Sequence, residues 1–165
     1  MIRSFRFLGV AAGLAISAIA QLGAQAAGSS QRRPDFSGTW VLDTARSIRD
    51  GSLPGLTLTV VRSGDTLSVR SEGVNAGGSF STRMRYGFDG KPLANTLSGV
   101  TLASTLSWDG ATMIVTSSGD ANGNKIVIDD RWSLDTDGRT LTRHSSFSVN
   151  GQGRSETLVF TKRPG

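Results

Sequence analysis

From Asp35 onward, apolar and polar residues alternate with a period of two, and helical periodicity is almost absent. Leu56, Leu58 and Val60 alternate with Thr57 and Thr59. Phe80, Thr82, Met84, Tyr86 and Phe88 alternate with Ser79, Ser81, Arg83 and Arg85. Ile126, Ile128, Asp130, Trp132 and Leu134 alternate with Val127, Asp129, Arg131 and Ser133. Successive side chains of a strand point to opposite faces, so the pattern predicts strands with one apolar and one polar face. The strands are expected near 39–43, 56–62, 66–71, 79–88, 100–108, 111–117, 125–134, 140–149 and 156–162. Residues 44–54 read as a helical turn or a covering loop, and 119–124 as a loop.

The turns carry their own signal. A glycine precedes a bulky apolar residue by three positions at Gly64/Leu67, Gly90/Leu93, Gly110/Met113 and Gly138/Leu141. In the last three the glycine follows an aspartate, a dipeptide suited to the positive φ of tight hairpins. Asn150-Gly151 offers a fifth turn of the same chemistry. Their uneven spacing excludes a solenoid or propeller and fits a meander of hairpins. About nine strands in one domain leave edges that would recruit other chains. Closing the sheet removes them, so the predicted fold is all-β, a single antiparallel barrel of about eight to ten strands.

The first 26 residues read as a secretory signal. Arg3 and Arg6 supply the positive start, 7–20 is uncharged and mostly apolar, and Ala24-Gln25-Ala26 offers a small-residue cleavage site. The apolar run is interrupted by Gly9 and Gly13 and is shorter than the ~20 residues of a spanning helix. The expected organisation is therefore a signal over 1–26, a leader over 27–34 and a barrel domain over 35–163, in the periplasm or secreted. The signal takes two of the 18 basic residues and none of the 13 acidic ones, so the remainder carries only +3. Arg62, Arg70, Arg83, Arg85, Arg131 and Arg143 are scattered along the strands, which reads as solvated strand faces and not as a nucleic-acid surface.

Asp35-Phe36-Ser37-Gly38-Thr39-Trp40-Val41-Leu42-Asp43, with Arg46-Ser47 behind it, resembles the opening of small exported bacterial lipocalin-like proteins. Four further matches follow in order: Phe88-Asp89-Gly90-Lys91-Pro92; Trp108-Asp109-Gly110; Arg131-Trp132-Ser133-Leu134 leading into Asp137-Gly138-Arg139-Thr140-Leu141-Thr142-Arg143; and Leu158-Val159-Phe160-Thr161-Lys162. The resemblance implies a calycin-type up-and-down barrel in the cell envelope and carries no catalytic residue across. It further implies that Gly38 and Trp40 close one end, with Lys162 or Arg163 over the Trp40 ring in a cation–π contact of roughly 0.5–2 kcal/mol. The chain departs from lipocalins in lacking a C-terminal helix and any disulfide, which leaves a hollow or a side-chain-filled barrel open.

The chemistry of the interior is sparse. There is no cysteine and one histidine, His144, whose parity sets it opposite Leu141 and Phe147 and so toward solvent. Serine-nucleophile, phosphate-loop and zinc-protease motifs are missing, and no catalytic residue, metal or cofactor is predicted. Most aspartates sit in turns. Asp130 shares the inward parity of Ile128 and Trp132, and a buried carboxylate requires a partner, here expected from Arg83, Arg85 or His144. A structural ion pair is the first reading of Asp130 and a ligand-orienting or acid–base group the second. Met84, Tyr86, Trp108, Asp130 and Trp132 are the candidate ligand-binding set, although aromatic residues on an apolar face serve equally as core. Three functions follow in order: non-catalytic binding of a small apolar or amphipathic molecule; a structural or stress-linked envelope protein with a filled barrel and a protein partner; and an enzyme built on Asp130 and an arginine.

Overall fold

The computed structural model describes residues 33–49, 54–75 and 77–165. The expected signal over 1–26, residues 27–32 of the expected leader over 27–34, and positions 50–53 and 76 lie outside the described residues. Ten strands follow in order: β1 (Gly38–Leu42), β2 (Gly55–Ser63), β3 (Thr66–Asn75), β4 (Gly78–Gly87), β5 (Leu93–Leu97), β6 (Val100–Asp109), β7 (Thr112–Ala121), β8 (Asn124–Leu134), β9 (Thr140–Val149) and β10 (Gln152–Lys162). There is no helix among the described residues. The period-two pattern thus produces the elements it predicts, with one addition. Leu93–Leu97 forms a tenth strand, which the sequence reading missed because Pro92 and Asn95 make it look like loop. The expected loop at 119–124 is shorter than predicted, since β7 runs on to Ala121.

All ten strands form one antiparallel sheet in the order β4-β3-β2-β1-β10-β9-β8-β7-β6-β5. The first and last strands of the chain are therefore neighbours, with Trp40 opposite Lys162 and Leu42 opposite Phe160. The two sheet edges, β4 and β5, meet without a backbone ladder, and a side chain spans the seam. Asn95 Oδ1 accepts the Arg85 N–H at 2.7 Å, and Asn95 Nδ2 donates to the Arg85 carbonyl at 2.8 Å. A buried asparagine thereby imitates the donor and acceptor of a missing strand neighbour.

Alternate strand connections lie at alternate ends of such a barrel. Gly64, Gly90, Gly110 and Gly138 turn β2–β3, β4–β5, β6–β7 and β8–β9, all at the same end, each with φ between 55° and 72°. Leu67, Met113 and Leu141, three positions after three of these glycines, are buried and form the floor of that end. The repeated Gly-x-x-apolar pattern is therefore the imprint of one end of the barrel.

Candidate functional site

The floor end is closed by the segment that enters β1. Phe36 is buried and places its ring 6.1 Å from both Trp108 and Trp132. Its carbonyl accepts the Trp40 Nε1–H at 2.9 Å. Lys162 Nζ stands 5.1 Å from the centre of the Trp40 ring, while Arg163, exposed, donates its backbone N–H to Thr39. Gly38 makes room for this lysine: it has φ +136°, and a Cβ there would stand 2.7 Å from Lys162 Cε. Arg33 and Arg62 cap Trp108 and Phe88 in the same manner. A space of about 60 Å³ lies among Arg33, Phe36, Arg62, Phe88 and Trp108, so Trp108 belongs to this region.

The other end is different. A cavity of about 330 Å³ occupies the interior and reaches the turns at Asn75 and Ser98, which join β3–β4 and β5–β6. Leu56, Val69, Phe80, Met84 and Leu158 give it an apolar wall, and the strand alternation that hides Leu56 and Val69 from water is what directs them inward. Of the five candidate ligand-binding residues, Met84, Tyr86, Asp130 and Trp132 line this one cavity, and Trp108 does not.

Asp130 has an arginine partner that the sequence reading did not name. Arg143 Nη2 lies 2.8 Å from Asp130 Oδ2, with side-chain exposures of 19% and 5%. Arg83, Arg85 and His144 are exposed on the outer face, so none of them reaches Asp130. Arg143 sits directly across from Trp132, and its guanidinium lies 5.5 Å from the indole centre. It is not on a solvated strand face as expected from the scattered arginines. Its signal was present, however, since Arg143 shares parity with Leu141 and Phe147, which marked the core face. His144 points outward, as its parity requires, with Nδ1 3.0 Å from Thr157 Oγ1.

Burial alone would pull the Arg143 guanidinium down, but the Asp130 charge and hydrogen bond outweigh it and hold its pKa above the ordinary arginine value. Burial pushes the Tyr86 phenol well up, so Tyr86 is neutral across the physiological range. Asp130 Oδ1, Arg143 Nε and Trp132 Nε1 are buried without a hydrogen-bond partner. Glu156 also lines the cavity and adds a second carboxylate near the same guanidinium. The pair is thus an interior charge pair with hydrogen-bonding capacity to spare. It is not a proton-transfer couple, because an arginine so placed does not give up its proton.

No protein-family model matches this chain, and no curated protein matches it by sequence. Solved structures do match by shape. A secretory abundant heat soluble protein from Ramazzottius varieornatus aligns with a TM-score of 0.60 at 11% identity, covering 81% of this chain and 100% of its own. A zebrafish ileal bile acid-binding protein complexed with cholic acid gives 0.52 at 14% identity, covering 78% and 98%. Lipid binding protein 8 of Caenorhabditis elegans gives 0.51 at 13% identity, covering 78% and 95%. The fold is that of the calycin-like barrels.

Proposed function

We propose that this protein is a non-catalytic barrel that holds a small amphipathic molecule in its interior. The observation that carries the reading is the cavity: about 330 Å³, lined by apolar and aromatic side chains together with a nearly equal number of polar ones, among them the buried Asp130–Arg143 pair. Sites for small molecules combine apolar wall with placed polar groups, and a lining so mixed suits an amphipathic guest better than a purely apolar one. At ~30 Å³ for each water-sized group, it accommodates about eleven non-hydrogen atoms, the size of 1-decanol. The names of the bile acid-binding and lipid-binding neighbours agree with this use of the fold. A filled barrel is less consistent with an interior of this volume.

Trp132 lies on the cavity wall, so its emission is a natural reporter. Titration of the full chain with 1-decanol is expected to shift tryptophan emission saturably, and Ser71→Phe, which fills the wall, to weaken binding by at least about tenfold. No saturable shift, together with no heat of binding by calorimetry, refutes the reading.

Export is part of the same proposal and rests on the sequence of the first 26 residues. An intact mass from the periplasmic or secreted fraction lacking 1–26 is expected. Full-length protein in the cytosol would refute export.

A further inference from the structure

The cavity has a closed end as well as a mouth, and that end fixes the length of the guest, an assignment that rests on the binding reading above. The cavity and the small floor space share no lining residue. Along β3 the boundary falls between Val69, which lines the cavity, and Leu67, which lines the floor space. Along β4 it falls between Tyr86 and Phe88. The register carries the same boundary across the ladders. Tyr86 stands opposite Leu67 and Trp132 opposite Met113, the first of each pair on the cavity and the second on the floor space. One layer of side chains therefore separates the two spaces.

Tyr86 and Trp132 are the large side chains on the cavity side of that layer, and both are buried. They come from β4 and β8, which five strands separate one way around the sheet and three the other, so they approach from facing walls. Trp132 is backed from the floor side. The Phe36 ring packs edge-on against it at 6.1 Å, and Phe36 itself lines the floor space and not the cavity. The Arg143 guanidinium lies 5.5 Å from the centre of the same indole. A close-packed interior resists rearrangement, so the indole acts as a fixed stop and Phe36 as the residue that positions it. Each CH₂ of a guest that leaves water for the cavity strengthens binding by about fourfold. A carbon for which the stop leaves no room gains none of this.

We infer that Trp132, with Tyr86 facing it, is the residue that sets guest length by shutting the cavity off from the floor of the barrel. The test measures the affinities of 1-octanol, 1-decanol, 1-dodecanol and 1-tetradecanol for the full chain by equilibrium dialysis, each below its solubility limit. For the wild type, affinity is expected to climb about fourfold per carbon to 1-decanol and then to level off. Trp132→Leu takes about six non-hydrogen atoms out of the cavity wall, and partial relaxation of the surroundings leaves room for about four more carbons. In this variant 1-tetradecanol is expected to bind at least about tenfold more tightly than 1-decanol. Tyr86→Leu, which takes out about four atoms from the facing wall, is expected to move the plateau to 1-dodecanol. Trp108→Phe enlarges only the floor space and is expected to leave the plateau at 1-decanol. A plateau that Trp132→Leu does not move, or that Trp108→Phe moves as far, overturns the inference and leaves the binding reading standing. So does a wild-type affinity that keeps climbing to 1-tetradecanol. No binding of any of the four alcohols to the wild-type chain overturns both. Should Trp132→Leu fail to fold, Tyr86→Leu compared with Trp108→Phe decides alone.

Discussion

Arg143→Met tests whether the interior pair is as buried as its geometry indicates. The substitution removes a guanidinium 2.8 Å from Asp130 and leaves a carboxylate of 5% exposure with no counter-charge. Breaking a buried pair from one side costs about 3–5 kcal/mol, because the remaining charge has lost its water and its partner. With a urea m-value of about 1.5 kcal/mol/M for a domain of this size, the unfolding midpoint falls by about 2–3 M. The double variant Asp130→Leu/Arg143→Met removes both charges and fills the space with apolar atoms. Its stability is expected within about 1 kcal/mol of the wild type, or above it. The resulting cycle gives a coupling energy of at least about 2 kcal/mol, measured by urea unfolding with intrinsic fluorescence at constant m. A loss below about 1 kcal/mol for Arg143→Met, or additivity of the two single changes, would show that the pair is solvated and the reasoning wrong.

Three further outcomes are expected. Lys162→Met removes the cation over Trp40 and costs about 0.5–2 kcal/mol in thermal unfolding, while Lys162→Arg retains most of it; equal losses in the two variants refute the cation–π account. Asn95→Ala leaves both backbone groups of Arg85 unpartnered at the β4–β5 seam and costs about 1–3 kcal/mol. The Arg85 amide is then expected to exchange hydrogen faster while the β1–β10 amides do not, and unchanged exchange at Arg85 refutes the clamp. Asp135 accepts the Thr140 and Arg139 N–H groups in the β8–β9 turn, Thr140 foremost, which holds its pKa down to about 2. A lowered folded-state pKa means that its stabilisation is complete above about pH 4 and is lost as pH falls toward 2. Asp135→Asn is expected to flatten the stability profile in that window, and a profile of wild-type slope contradicts the assignment.

The barrel was legible because its evidence is local. Each strand declares its inward face by alternation, and each floor-end turn by a glycine that an L side chain replaces only with strain. β5 was not legible, since its one clear purpose, placing Asn95 against Arg85, is a contact across the chain. The same distinction runs through the site. Parity put Met84, Tyr86, Asp130 and Trp132 on inward faces, and the register brings these strands around one cavity. Parity says nothing about height along the barrel axis, however, and that separates Trp108 from the other four. Phe36, ahead of the first strand, fills the space beside Trp108 and leaves the space above Trp132 open. Arg143 went unread for another reason. An arginine on an apolar face is usually dismissed as solvated, and only its diagonal position beside Asp130 shows why it is inside.

The pairing of β1 with β10 has a consequence for the order of events in synthesis. Every other ladder joins strands that are consecutive in the chain and can form as the ribosome delivers them. The ladder between Trp40 and Lys162 waits for the last strand. Until then β1 and β9 each present an unpaired edge, and the Lys162 that covers Trp40 has not arrived. Without its last strand the chain holds two separate ladders, β1–β4 and β5–β9, and no closed barrel. The burden on whatever escorts it is set by the arrival of a single strand.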